Sequence, residues 1–190
     1  LGGGIWAMHF IGMLAFALCA RGRFDPWMTL VSFVPGLAAS WVALHLLMRR
    51  TVGPWVLLGG GVLVGGGIGA MHYIGMAASE LAPMMRYDPV GFATSIVVAV
   101  LLATLALWVR FGLQRHMRWR SWWASTLAGS VMGLAIAGMH YMGMDALRFV
   151  GPLSMDYFDG STEHRTLALA VTAVTVFAGR PVGDGKPGPV

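Results

Sequence analysis

Of the 190 residues, 57% are hydrophobic and 11% are Asp, Glu, Lys or Arg. A typical soluble domain carries about 25% charged residues, so this composition excludes an ordinary water-soluble globule and marks an integral membrane protein. The net charge of +5 does not point to nucleic acid, because the arginines gather in loops at the ends of apolar runs.

A membrane span needs about 20 mostly apolar residues, and the chain offers several such runs. The first covers residues 1–20; aligned on the later repeats, it lacks its opening turns, as in a fragment cut inside a helix. The second, 27–48, closes on Arg49-Arg50 and contains Pro35-Gly36, a predicted kink. The third, 54–81, carries seven glycines between Gly59 and Gly69. Its Gly61/Gly65/Gly69 ladder has the four-residue spacing that lets helix backbones approach closely in lipid. The fourth run is 90–113; the fifth is 122–147, with Gly129 and Gly133 at the same spacing. A polar loop, 148–165, precedes a short sixth run at 166–178, and the Gly/Pro-rich tail 179–190 does not continue a helix. The fold expected is an all-α membrane protein: a polytopic helical bundle of about five to six transmembrane helices, the first and last incomplete, built from repeated helix pairs. Domain 1–178 is the membrane unit and 179–190 a flexible tail.

Asp25-Pro26 and Asp88-Pro89 read as helix starts, Asp as N-cap and Pro in the first turn. Trp27, Trp55, Trp119, Trp122 and Trp123 fit an aromatic interface belt. The loops after runs two and four hold Arg49, Arg50, Arg110, Arg115, Arg118 and Arg120 without acids, whereas the opposite loops are mixed. The all-basic loops are expected in the cytoplasm.

One stretch occurs three times: Met8-His9-Phe10-Ile11-Gly12-Met13, Met71-His72-Tyr73-Ile74-Gly75-Met76 and Met139-His140-Tyr141-Met142-Gly143-Met144. The histidines lie 63 and 68 residues apart, an internal repeat. His72 and His140 follow Trp55 and Trp122 by 17 and 18 residues, about 26 Å of helix rise. Three parallel helices then bring the histidines to one depth near the outer face.

Within each motif the His and the second Met are four apart and share a helix face. Gly12, Gly75 and Gly143 leave room for another helix. Three imidazoles (His9, His72, His140) with six thioethers (Met8, Met13, Met71, Met76, Met139, Met144) form a soft donor set suited to copper, Cu(I) especially. Tyr73 and Tyr141 are candidate hydrogen-bond partners of the ligands. His45, His116 and His164 read as structural or solvated. The single cysteine, Cys19, excludes an intramolecular disulfide and any Cys-x-x-Cys metal site.

Other readings share these residues. The repeat can be duplicated helix packing with methionine as gap-filler, a haem site with two axial histidines, a metal transporter or channel, or a proton sensor. No carboxylate pair, activated nucleophile or phosphate-binding loop falls in a plausible site, so an enzyme is not expected in this chain.

The triple motif with its Asp-Pro helix starts resembles the MHYT family of bacterial membrane sensor domains over residues 1–178. The resemblance implies about seven spans in the inner membrane and copper ligation by Met8, His9, Met71, His72, Met139 and His140. It also implies sensing of oxygen, carbon monoxide or nitric oxide, and a cytoplasmic output partner such as a diguanylate cyclase (GGDEF) or phosphodiesterase (EAL) domain. The sequence departs from the family pattern at Ile11, Ile74 and Met142, which replace its threonine, and at Phe10, which replaces its first tyrosine.

Overall fold

The computed structural model describes residues 1–16, 24–49, 51–116, 121–150, 169, 171–173 and 176. Five helices follow the predicted runs: α1 (Gly2–Phe16), α2 (Pro26–Leu47), α3 (Pro54–Ala77), α4 (Pro89–His116) and α5 (Ser121–Asp145). Four of them are long and apolar enough to cross a membrane. With the lipid-compatible exterior described below, this is a multi-pass membrane protein. Residues 169, 171–173 and 176 are helical. The rest of the sixth run, the tail 179–190, Cys19, Trp119 and His164, and the side chains of His116 and Trp122, lie outside the described residues.

Helix starts follow the local chemistry. Asp25 caps α2, its carboxylate accepting the Met28 N–H at 2.6 Å, with Pro26 in the first turn. Asp88 does the same before α4, accepting the Gly91 N–H at 2.8 Å. Helix α2 continues through Pro35, inside its span.

Helices α1, α3 and α5 pack against one another as an inner triangle, with α2 between α1 and α3 and α4 between α3 and α5. The glycine ladder of α3 makes the close helix approach its spacing implies, and the partner is α4. A Cβ at Gly61 would run into Thr104, one at Gly65 would lie 2.6 Å from the Val100 backbone, and one at Gly69 would strike Ile96. Gly60 and Gly67 instead face Leu46 and Ala39 of α2. Glycine thus serves two neighbours from two sides of one helix. In α5, no described atom lies within 4 Å of a Cβ built on Gly129 or Gly133, so those glycines bring no described helix close.

The main core runs along the triangle, from Ile5, Trp6 and Phe10 through Val64, Ile68 and Met71 to Ile136 and Met139, and Val171 joins it. Its polar contacts are satisfied locally: the Trp6 indole N–H donates to the Thr29 carbonyl (3.2 Å) and the Ser32 hydroxyl (3.1 Å). Outward faces are apolar, with Trp27, Leu30, Val34, Trp41, Leu63 and Leu101 exposed, as a lipid-facing surface requires. Trp27, Trp55 and Trp123 are exposed near helix starts, in keeping with an interface belt.

The all-α pattern of the sequence predicts no strand, and the structure adds a small ribbon. Past α3, a 3-10 turn (Ala82–Met84) leads into β1 (Met85–Tyr87), which pairs antiparallel with β2 (Leu147–Phe149) after α5. Three-residue strands are too short to show alternation. The same end is tied twice more: the Asp25 N–H donates to the Ala78 carbonyl (2.7 Å) and the Asp88 N–H to the Ala146 carbonyl (2.9 Å). Each Asp-Pro helix start is therefore stitched to the end of the next motif helix.

Candidate metal centre

Because α1, α3 and α5 are parallel and carry their motifs at equivalent depth, His9, His72 and His140 meet on the axis of the triangle. All three are buried, at 0%, 1% and 3% exposure. Their rings stand nearly perpendicular to one another, at 82°, 80° and 89°, with centroids 4.9–5.3 Å apart. The His9 Nδ1 lies 3.1 Å from that of His72 and 3.3 Å from that of His140.

The outer sides of the rings are equally ordered. A Cβ added to Gly12 would come within 2.6 Å of the His140 Nε2. One at Gly75 would collide with the His9 Nε2, and one at Gly143 with the His72 Nε2. The motif glycines make room for the histidine of another copy, not simply for another helix. The pattern is cyclic: α1 places its ring on α3, α3 on α5, and α5 on α1.

Chemically this is a set of nitrogen donors aimed at one point. A neutral imidazole has one N–H and one lone pair, so the His9 Nδ1 cannot satisfy two neighbouring Nδ1 atoms by hydrogen bonding. A cation between them satisfies all three. Nitrogens bound to one ion at about 2.0–2.1 Å in tetrahedral or trigonal directions stand about 3.3–3.6 Å apart, close to the separations observed. Among the described residues, the buried Nε2 atoms of His9 and His72 have no hydrogen-bond partner. No carboxylate joins the group, which is the cluster of potential metal ligands among the described His, Cys, Asp and Glu residues. The residues present fit a small cation.

The methionines divide. Met13, Met76 and Met144, one turn beyond the histidines, form a second buried cluster with Met85, Leu81 and Leu147. Met71 and Met139 belong to the main core, with Met8 packed against it. The Met71 side chain lies over Gly36 of α2, its Cγ 3.5 Å from a Cβ built there. The two methionines of a motif thus serve different layers. Met85 escaped the sequence reading because it stands outside every motif copy.

The expectation for the tyrosines needs correction. The Tyr73 hydroxyl bonds Ser95 of α4 at 2.7 Å, and Tyr141 is 71% exposed. Neither hydroxyl is directed to a histidine nitrogen. Away from the centre, His45 stacks on Trp41 at 20° and lies 3.3 Å from Arg49, the structural role expected of it.

Comparison with known proteins follows the same lines. The chain is 45% identical over 150 residues to the bifunctional diguanylate cyclase/cyclic di-GMP phosphodiesterase MucR of Pseudomonas aeruginosa, covering 78% of this chain and 22% of that protein. It is 33% identical over 151 residues to the signaling protein YkoW of Bacillus subtilis, covering 78% and 19%. It is 37% identical over 147 residues to the cyclic di-GMP phosphodiesterase NbdA of P. aeruginosa, covering 77% and 19%. The chain thus spans about a fifth of the length of these relatives. No solved structure matches it. Residues 2–60, 65–125 and 133–179 each match the MHYT pattern, the bacterial signalling protein N-terminal repeat, and the chain belongs to that family.

Proposed function

We propose that this chain is the membrane-embedded sensory unit of a bacterial signalling protein, and that it holds one copper ion on the Nδ1 atoms of His9, His72 and His140. The observation that carries the reading is the convergence of these atoms at 3.1 and 3.3 Å in a buried site without carboxylates. Copper is favoured over hard cations by an all-imidazole shell with thioethers one turn away. Met13, Met76 and Met144 line that neighbouring layer. Bound copper would supply an open coordination position for a diatomic gas, or a change of redox state.

The chain's own residues do the rest: they exclude water, fix the rings and tie the centre to α2 and α4 through the backbone bonds of Asp25 and Asp88. Its relatives suggest cyclic di-GMP synthesis or hydrolysis as the output, performed by a cytoplasmic partner domain. Haem is disfavoured, because a macrocycle would have to fit between histidine rings whose centroids stand only 4.9–5.3 Å apart. Here the rings touch.

The test is metal analysis and optical spectroscopy of the full-length protein in mild detergent, with and without His9→Ala, His72→Ala and His140→Ala. Copper near one per chain, lost in the triple variant, is expected. A Soret band would transfer the site to haem, and metal-free protein after copper loading would reduce the motif to helix packing.

A further inference from the structure

We propose that Gly12, Gly75 and Gly143 are positioning residues for the donor atoms of the centre, each acting on the histidine of a different motif. The contacts assign the partners: Gly12 seats His140, Gly75 seats His9 and Gly143 seats His72. This deepens the metal-centre reading and rests on it for the ion alone; the packing stands without one.

An imidazole can offer either nitrogen, and which one faces an ion depends on what holds the other. Here the Nε2 side of each ring lies against the space above a glycine Cα. In His9 and His72 that nitrogen is buried with no hydrogen-bond partner among the described residues. The ring therefore owes its orientation on this side to shape rather than to a hydrogen bond. With the Nε2 edge seated, Nδ1 is delivered to the axis. A methyl group on the seat must push Nε2 away, and a rigid five-membered ring carries the displacement to Nδ1. The push cannot be absorbed toward the axis, because the other two rings, with centroids about 5 Å away, occupy it.

Motif-local reasoning predicts that a glycine substitution harms its own motif's histidine, three residues earlier. The structure predicts harm to the preceding copy's histidine in the ring α1→α3→α5→α1. Asparagine separates the two, because its amide reproduces the Nδ1 edge of histidine and lacks the Nε2 edge. His140→Asn should thus make room for alanine at position 12, whereas His9→Asn and His72→Asn should not.

The experiment measures thermal unfolding and monodisperse yield of metal-free, full-length protein in detergent for Gly12→Ala alone and combined with each His→Asn change. The set is repeated for Gly75→Ala and Gly143→Ala. Each glycine change alone should lower Tm by about 3–10 °C or collapse the yield. Rescue is expected in the pairs 12/140, 75/9 and 143/72 and in no others. Rescue by the same-motif asparagine, rescue by all three, or additivity throughout would overturn the proposal. So would tolerance of all three alanines. Copper loading of the same proteins reports separately on the metal: wild-type protein that takes up no copper while the cyclic rescue holds would sink the metal reading and leave the seats standing.

Discussion

Ser95 donates its own proton to the Phe92 carbonyl at 2.8 Å, so the Tyr73 hydroxyl is the donor in the bond between them. Tyr73→Phe should then cost about 1 kcal/mol, a fall in Tm of about 2–4 °C, with copper content and affinity unchanged. A tenfold or greater loss of affinity, the size expected when a ligand's partner is removed, would return Tyr73 to the centre. Tyr87, in β1 outside the spans, has its phenol pushed up to about 12 by burial first and then by neighbouring Tyr73. The folded state favours the neutral form, so this contribution is intact below about pH 10, the unfolded value, and is lost as pH rises from 10 towards 12. Alkaline unfolding followed in Tyr87→Phe should lack that component. The histidines were legible because a threefold motif in alternate helices sets their depth. Which nitrogen each presents was not, since spacing carries no information on side-chain rotation. For Tyr73, the motif supplied the residue while Ser95, 22 positions on, decided its use.

Helix contacts give the glycines of α3 different weights. In Gly65→Ala the new methyl meets backbone atoms of Val100 at 2.6 Å; backbone cannot swing aside, so α3 and α4 must part, costing about 1–3 kcal/mol. Gly59 is exposed with no described atom within 4 Å of its Cβ position, and Gly59→Ala should be neutral or gain up to about 1 kcal/mol from helix propensity. Detergent-resistance or thermal unfolding of the two variants reads the difference. Asp25→Ala removes the acceptor of the Met28 N–H and should cost about 0.5–2 kcal/mol. Helices, their caps and the α3 ladder were legible because periodicity, Asp-Pro and four-residue glycine spacing each carry a local signal. The β1–β2 ribbon was not, because its pairing joins residues about 60 apart. Gly129 and Gly133, with no described atom within 4 Å of their Cβ positions, show the converse: equal spacing does not ensure equal neighbours among the described helices.

At the scale of the molecule, the all-basic end and the ribbon end lie on opposite sides of the bundle, and from loop charge we propose that the basic end faces the cytoplasm. In full-length protein with Cys19→Ser, an impermeant thiol reagent applied to intact spheroplasts should label Arg86→Cys and spare Thr51→Cys until the membrane is opened. The reverse pattern would invert the topology and put the centre near the cytoplasmic face. The ring of seats has a further consequence. Each repeat supplies one imidazole and one place to rest another, on different surfaces, so the contact is heterologous and persists from copy to copy until a rotation closes it. The contacts of Gly75 with His9, Gly143 with His72 and Gly12 with His140 close that rotation at three. A chain with two such units would leave one ring unsupported and one seat empty, and four would open the axis too wide for a single small ion. Copy number in this domain is therefore a geometric requirement of the proposed centre.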